Sequence, residues 1–517
     1  MKQSHGRMSR QRFVLISILF FHSMNTYMDR VCISTAVDHI KEDLGITATM
    51  MGLILGVFAF GYALFQIPSG WIADHFGPRK ALTIVVSVWS CFTALTGAAV
   101  NAGQMLVLRF LFGMGEAGAF PGATQAFFRW LPPKERGLAH GINFSGSRLG
   151  AAFSFILMPI LISGYVFSSN FFGLLDKPFT WNFGGIGWRW TFVVNGIIGI
   201  IWAAVWLIWF KDNPKDNKKV NTAELDYINK GCLVEQKEFV KASFAEVFTS
   251  LNMSLAMLQY FASNVTFYLT ISWLPSYIKN TWANNPNAKF YAAIPLVFAA
   301  FANWTAGGMV TWLYRKGYHV GSRRLTAIVG FVMGAFGLLM VMQTDNLEFL
   351  TTDMSRLYWF IGWFSAATFG VDMTLSPSWS FCNDIGGGNS GVVSGSMNMV
   401  GNIGAALGII LFPIMKEIYG SANPFFAMAA GLNVVAIIAW CFMNPKRHSD
   451  KQLSPEVVRK RFIVMLSTLF ALTLGVISFG TYRNYKQNKA KEEEESKQVA
   501  PEVQNDILSP DSSGDSN

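Results

Sequence analysis

Apolar segments recur along the whole chain, and charged residues are concentrated in the stretches between them. Each segment has about 18 to 28 residues, which is enough for a helix to cross a hydrocarbon core of ~30 Å. Because lipid offers the backbone no hydrogen-bonding partner, segments this long and apolar are predicted to be helices. The pattern predicts thirteen spans, at residues 13–35, 50–69, 81–100, 104–126, 138–164, 191–210, 251–278, 291–313, 325–342, 357–380, 391–415, 425–443 and 462–480.

Composition agrees with an all-α polytopic membrane protein. Of the 517 residues, 52% are hydrophobic and 14% are charged, against roughly 25% charged residues in ordinary soluble domains. This excludes a soluble enzyme and a disordered scaffold. The five cysteines are scattered, so they indicate neither a disulfide framework nor a metal site, and no cofactor is predicted. The spans hold no nucleophile–base pair, so an enzyme of the membrane is not expected either.

The basic residues of the loops predict the orientation of the chain. Alternate connections, starting with the N-terminus, carry 26 Lys and Arg residues, whereas the intervening connections carry 7. Lys and Arg are enriched in cytoplasmic loops, so the N-terminus and the 211–250 loop are predicted to be cytoplasmic. The net charge of +10 reflects the same bias. No basic stripe with interleaved aromatic residues indicates nucleic acid.

Two stretches of the chain match at a fixed offset of 254 residues. The matches are Gly137/Gly391, Gly141/Gly395, Gly150/Gly404, Ala151/Ala405 and Ala152/Ala406. Six spans, an even number, separate the copies, so the two copies run parallel across the membrane, as in one known transporter plan. The expected organisation is two parallel-repeat six-helix halves with a linker, an extra helix and a disordered tail. Their bounds are 1–210, a cytoplasmic linker loop 211–250, 251–443, a linker and extra transmembrane helix 444–480, and a tail 481–517.

The loop between the second and third spans carries a family signature. Gly70-Trp-Ile-Ala-Asp74-His-Phe-Gly77-Pro-Arg79-Lys80 resembles the G-x-x-x-D-x-x-G-x-R-K signature of the major facilitator superfamily. Its glycines open a short turn, and Asp74 with the basic pair is expected to bridge neighbouring helix ends as a gating motif. The second-half copy has Thr311 where an acid often stands.

Further motifs lie along residues 10–445. They are Tyr27-Met-Asp29-Arg30, Tyr62, Arg109-Phe-Leu-Phe-Gly-Met-Gly-Glu116, Trp130-Leu-Pro-Pro-Lys-Glu135-Arg136, Gly146-Ser-Arg148-Leu-Gly150, Gly187-Trp-Arg189-Trp190, Asn398 and Gly401-Asn402. Together they resemble the anion:cation symporter family of that superfamily, which includes bacterial hexuronate, glucarate and galactonate transporters and sialin. The resemblance implies a small organic anion as substrate and a bacterial inner membrane as location, and it favours Trp379 and Asn398 as substrate-binding residues.

Charge inside a bilayer is costly and usually faces a cavity or another charge. The predicted spans hold six charged residues: Asp29, Arg30, Arg109, Glu116, Arg148 and Asp372. At 1.5 Å per residue, Asp29, Arg30 and Arg109 are expected in the outer half of the bilayer, and Glu116 about 10 Å deeper. The planar guanidinium suits a carboxylate. Arg30, Arg109 and Arg148 are therefore predicted to bind substrate, and Asp29 and Glu116 to couple a proton.

The alternative is a permanent salt-bridge cluster that holds helices together without binding a ligand, and Asp29 with Arg109 fits this interpretation best. Asp372 has no charged partner on its own helix, so it is a further cavity candidate. Polar and aromatic residues complete the predicted substrate site, since a hydroxyl-rich ligand needs donors, acceptors and stacking faces. They are Tyr27, Tyr62, Trp379, Asn398 and Asn402, with Asn264 and Tyr268 as weaker candidates.

The expected function is import of a small organic anion, such as a hexuronate, aldarate or aldonate, by proton symport with alternating access. The expected partners are this anion, the coupling proton and the lipid bilayer, and the protein is expected to be a monomer. Two rivals stay open: a sodium-coupled or exchange carrier of another small carboxylate, and a transporter-like membrane sensor. The sequence also leaves open which anion is carried, where the C-terminus lies and what the aromatic 165–187 loop does.

Overall fold

The computed structural model describes residues 8–169, 179–238, 249–282, 291 and 293–444, together with isolated positions between 456 and 467. The chain divides into two compact units, Met1–Val458 and Arg459–Asn517, and everything below concerns the first. The predicted extra span 462–480 and the tail 481–517 fall outside the described residues, apart from positions 463 and 467.

The described residues are almost entirely helical. Two short strands form one antiparallel hairpin inside the predicted aromatic loop, with Tyr165 opposite Phe183. The elements are α1 Gln11–Leu44, α2 Ala48–Phe76, α3 Pro78–Thr96, α4 Ala102–Glu116, α5 Ala119–Trp130, α6 Pro133–Ser163, β1 Tyr165–Ser169, β2 Phe179–Phe183, α7 Gly187–Trp209, α8 Thr222–Glu238, α9 Leu251–Ser272, α10 Leu274–Thr281, α11 Ile294–Arg315, α12 His319–Met342, α13 Asp353–Met373, α14 Leu375–Gly386, α15 Ser390–Tyr419 and α16 Asn423–Phe442.

Seven helical segments of the described chain are long and apolar enough to cross a membrane. They are Met50–Phe76, Pro133–Ser163, Gly187–Trp209, Ile294–Arg315, His319–Met342, Asp353–Tyr419 and Asn423–Phe442. The structure confirms the predicted all-helical membrane fold. It also divides three predicted spans into two helices each, and a proline follows each break within two or three residues: Pro121, Pro275 and Pro377. Proline lacks the N–H that would continue the helical ladder, so the helix is interrupted there.

The repeated glycines make equivalent close contacts in the two predicted halves. A Cβ at Gly141 would meet the backbone oxygen of Asn303 on α11, and a Cβ at Gly395 would meet that of Gln66 on α2. Each of these glycines therefore lets a helix of one half approach a helix of the other half closely. Gly150 on α6 packs in the same way on α1, and its counterpart Gly404 on α15 packs on α9.

One end of the bundle, where α1 and α6 begin and α2 ends, is termed the basic end because it holds most of the basic loops. Hydrogen bonds join the two halves there, and they close this end of the bundle. The donor and acceptor pairs are Gly391 N to Asp74 Oδ1 (2.8 Å), Val392 N to Asp74 Oδ2 (2.8 Å), Ser376 Oγ to Gly137 O (2.6 Å) and Arg323 Nη2 to Pro133 O (3.2 Å).

The signature loop lies at this end, between α2 and α3. Gly77 has a φ of +82°, a left-handed conformation that glycine adopts without steric cost. Arg79 donates from Nη2 to the backbone oxygen of Leu207 (2.7 Å) and from its backbone N–H to Asp212 (3.0 Å). It thereby ties the start of α3 to the end of α7, whereas Lys80 is exposed.

The first part of the predicted linker forms α8 and docks on the first half. Arg12 at the start of α1 pairs with Glu135 (2.8 Å) on α6 and with Glu224 (3.0 Å) on α8. Tyr227 donates its hydroxyl to Glu135 (2.7 Å). These charge-assisted bonds are among the stronger polar contacts in proteins, so they fix α8 against α1 and α6. Residues 239–248 of the linker lie outside the described residues.

We expect Asp74→Asn to loosen the basic end. The carboxylate accepts two backbone N–H groups in the first turn of α15, where the helix dipole favours an anion. An amide keeps one acceptor and loses the charge, which should shift the open–closed equilibrium by about 1–2 kcal/mol. The measurement is the spin-label distance between positions 80 and 316, which should gain a longer population. Asp38→Asn, an exposed acid at the opposite end, should leave the distance unchanged, and an unchanged distance in Asp74→Asn would contradict the role.

Candidate functional site

A polar cavity lies at mid-length of the helices, between the two predicted halves. Its free volume is about 30 Å³, which holds one or two water molecules. A larger ligand therefore enters only after side chains or helices move. The lining residues are Tyr27, Arg30, Tyr62, Phe120, Phe144, Arg148, Tyr260, Ser263, Asn264, Phe267, Tyr268, Asp372, Leu375, Trp379, Asn398 and Asn402.

Arg30 and Glu116 form an ion pair at the wall of this cavity. Arg30 Nε donates to Glu116 Oε1, and the guanidinium lies 4.4 Å from the ring centre of Tyr62 and 4.9 Å from that of Tyr27. Glu116 is fully buried, whereas the Arg30 side chain keeps 11% exposure. Neither Glu116 Oε2 nor Arg30 Nη2 has a hydrogen-bond partner within the described ranges. The pair therefore has a free acceptor on its buried carboxylate and a free donor on its guanidinium.

Asp29 and Arg109 do not line the cavity. Asp29 accepts hydrogen bonds from Trp89 Nε1 (3.0 Å) and Asn25 Nδ2 (3.3 Å) instead of pairing directly with Arg109. Arg109 is buried on α4, and its Nε has no partner among the described residues. Its charge acts on Glu116 and Asp29 through space. Arg109 therefore contributes positive field to this region from outside the cavity lining.

Arg148 and Asp372 form a second buried ion pair, which joins α6 of one half to α13 of the other. Both bonds of the guanidinium fork are made, Nε to Oδ2 and Nη2 to Oδ1, each at 2.8 Å. Nη1 donates to the Tyr27 hydroxyl (3.2 Å), and the guanidinium carbon lies 3.7 Å from the ring centre of Phe267. The side chains are 4% and 1% exposed. Asp372, which has no charged partner on its own helix, thus finds one across the cavity.

Asn398, Asn402 and Trp379 of the second predicted half line the cavity. Asn398 Nδ2 donates to the Tyr62 hydroxyl (3.1 Å), and Asn402 Nδ2 donates to the backbone oxygen of Asn398 (2.7 Å). Trp379 Nε1 donates to the Tyr260 hydroxyl (3.1 Å). Side-chain amides and hydroxyls of this kind both donate and accept, which suits a ligand with several hydroxyl groups.

Several lining residues have no sequence signal. Phe120 and Phe144 stack with ring centres 5.2 Å apart, and both lie within 6 Å of Trp379. Tyr260 and Phe267 complete the aromatic surround on α9. Aromatic residues in membrane spans usually serve packing, so nothing in the sequence separates these four from the other rings of the chain.

Comparison with known proteins identifies the family. A sequence profile described as Major Facilitator Superfamily matches residues 16–409. A probable sulfoacetate transporter of Cupriavidus necator is 29% identical, with 84% of this chain and 94% of the relative covered. The D-galactonate transporter of Escherichia coli is 29% identical (81% and 93% covered), and the hexuronate transporter of Bacillus subtilis is 26% identical (83% and 94% covered).

A solved structure shows the same fold. The proton:xylose symporter XylE, bound to 6-bromo-6-deoxy-D-glucose, superposes with a TM-score of 0.64 at 14% sequence identity, over 84% of this chain and 96% of that one. The relatives named as organic-anion transporters confirm the resemblance to the anion:cation symporters. The chain therefore belongs to the major facilitator superfamily and is a multi-pass membrane transporter, not an enzyme.

Proposed function

We propose that this transporter imports a small organic anion, a sugar acid such as a hexuronate, aldarate or aldonate, by proton symport. The observation that carries the proposal is the ion pair of Arg30 with Glu116 at the cavity wall. An arginine that faces the ligand space and is neutralised by a buried carboxylate allows one anion to replace another. Relatives named for galactonate and hexuronate support the substrate class.

The charges of the cavity explain how a proton would be coupled to the substrate. When a substrate carboxylate binds Arg30, Glu116 loses its counter-charge and becomes an uncompensated buried anion, which is costly. Protonation of Glu116 removes that cost. Substrate and proton therefore favour each other's binding, and this reciprocal linkage is what symport requires. Asp29 is the second candidate carrier, since it lies next to Arg30 in the chain and interacts with Arg109 through space.

The contacts between the halves support alternating access. The hydrogen bonds at the basic end hold that end closed, so a substrate would reach the cavity from the opposite end. Rocking of residues 251–443 against residues 1–210 would break these bonds and open the cavity to the basic end. We take the basic end to be cytoplasmic, because Lys and Arg are enriched in cytoplasmic loops, and this places the N-terminus inside the cell. The proposed location is a bacterial inner membrane, and the proposed activity is import by a monomer.

The test is uptake into proteoliposomes under imposed gradients. Radiolabelled glucuronate, galactonate and glucarate are offered under an inward proton gradient, an inward sodium gradient or neither, with xylose as the uncharged control. We expect one or more of the acids, but not xylose, to accumulate under the proton gradient alone. Accumulation under sodium alone would favour the sodium-coupled carrier, exchange without accumulation would favour the exchanger, and binding without uptake would favour the sensor.

A further inference from the structure

We infer that Arg148 and Asp372 form a second anion subsite, so that the preferred substrate is a dianion with an acidic group at each of two positions. The inference rests on the proposed function, in which Arg30 receives one carboxylate. Arg148 faces the same cavity, and its fork is already filled by a carboxylate with two bonds of 2.8 Å. Asp372 thus holds the place that the second acidic group of a ligand would take.

The spacing of the two arginines is set within one half of the protein. The guanidinium carbons of Arg30 and Arg148 lie 4.9 Å and 5.6 Å from the ring centre of Tyr27. These two distances together limit the separation of the carbons to about 10.5 Å. Gly146 and Gly150 allow close backbone contact between α6 and α1. Because both arginines lie on these two helices, the distance between them is expected to stay the same when the other half moves. A molecule whose acidic groups are a few carbons apart reaches both guanidinium groups.

The charges around Arg30 and Arg148 are balanced in the same way, so each arginine can exchange its protein carboxylate for a ligand carboxylate. Arg30 is neutralised by Glu116 and Arg148 by Asp372, and both carboxylates are almost completely buried. A dianion that binds both arginines leaves both carboxylates without a counter-charge, so two protons restore neutrality. A monoanion needs only Arg30 and one proton, and it leaves the Arg148–Asp372 pair intact.

The surroundings of Asp372 leave Arg148 as its charged neighbour at this depth. Tyr27 from α1 and Tyr260 and Tyr268 from α9 line the cavity with it. The other ionisable side chains in the described parts of the helices that pack beside α13 lie toward their basic-end termini. They are Tyr314 and Arg315 on α11, His319, Arg323 and Arg324 on α12, and Cys382 and Asp384 on α14.

The first test compares acids that share one carbon skeleton. Glucarate and gluconate, and galactarate and galactonate, differ in the second carboxylate alone. Binding to the purified full chain is measured by calorimetry at pH 6. We expect the diacid to bind at least about tenfold more tightly than the monoacid, since a bidentate charge-assisted pair is gained. Equal affinities within both pairs would overturn the inference.

Variants then assign the preference to the ion pair. The double variant Arg148→Gln/Asp372→Asn keeps the cavity neutral, and the ratio of diacid to monoacid affinity should fall to about one. Arg148→Lys keeps the ion pair and the charge but loses the fork, so it should reduce the ratio several-fold even if the double variant folds poorly. An unchanged ratio in Arg148→Lys, or in a double variant that still binds monoacid, would overturn the inference.

Proton counting separates this inference from the proposed function. Calorimetry in two buffers of different ionisation enthalpy should give about two protons taken up per diacid and about one per monoacid, because each buried carboxylate that loses its arginine takes up one proton. Asp372→Asn should lower the diacid count by one, because one buried carboxylate fewer is left to be protonated. If the monoacid binds with one proton and the diacid also binds with one, only the second subsite fails. If neither acid binds, the proposed function fails with it.

Discussion

Substitution of Glu116 by Gln should abolish accumulation of a monoacid driven by a pH gradient while exchange of the monoacid across the membrane continues. Gln has the size of the protonated acid, and its amide oxygen can still accept from Arg30 Nε, the bond that Glu116 makes. The cavity then keeps the charge state that follows protonation, and a substrate carboxylate can bind Arg30. What is lost is the exchange of a proton at Glu116, so binding of a monoacid is no longer linked to the gradient.

The size of the effect follows from the gradient. One pH unit supplies about 1.4 kcal/mol per proton and hence supports about tenfold accumulation. In Glu116→Gln the ratio of internal to external monoacid should fall to about one under the same gradient. Exchange is followed separately as counterflow of labelled substrate into liposomes preloaded with unlabelled substrate. Glu42→Gln, an exposed acid near the end of α1, is the matched control and should accumulate normally.

Uphill, pH-driven uptake of a monoacid that persists in Glu116→Gln would remove this residue from the coupling role. Asp29 would then be the next carrier to test, by Asp29→Asn. The structure gives a reason for that order. Glu116 contacts the arginine that lines the cavity, whereas Asp29 accepts hydrogen bonds from Trp89 and Asn25 and does not line the cavity. A proton on Asp29 would therefore act on the substrate through space.

The architecture is predictable from the sequence because its signals do not depend on tertiary packing. Span length and loop charge depend on residues close together in the chain, and the glycine repeat appears when two stretches 254 residues apart are compared. The profile match over residues 16–409 confirms the family. Hydropathy continues across the break between α4 and α5, so the apolar pattern predicts a single span there. Pro121 is the one local signal of the break, because a proline in the first turn of a helix cannot donate the hydrogen bond that would continue the preceding helix.

Partners within the site could not be predicted, because they depend on how helices rotate about their axes. Glu116 and Arg109 are seven residues apart on the same face of α4, yet Glu116 pairs with Arg30 on α1. Asp372 pairs with a residue 224 positions away in the sequence. The sequence identifies which charges enter the membrane, and tertiary packing decides which of them meet.

Substitution of Arg30 by Lys should weaken binding of every acid that the transporter carries, by about 10- to 150-fold. The guanidinium of Arg30 has a donor without a partner in the described structure, beside the one bound to Glu116. A ligand carboxylate can therefore accept two hydrogen bonds from the guanidinium of Arg30. Lys keeps the positive charge but offers a point donor on a flexible stem. The loss of one charge-assisted hydrogen bond costs about 1.5–3 kcal/mol, which gives the expected range.

The affinities for monoacids and diacids distinguish the role of Arg30 from that of Arg148 on α6. In Arg30→Lys the affinities for a monoacid and its diacid should fall by the same factor, because both place a carboxylate on Arg30. In Arg148→Lys the diacid alone should lose affinity strongly. Arg315→Lys, an exposed position at the basic end, controls for the substitution itself and should change neither. Unchanged affinity in a well-folded Arg30→Lys variant would show that the carboxylate binds elsewhere. The ion pair with Glu116 would then be a packing contact between α1 and α4.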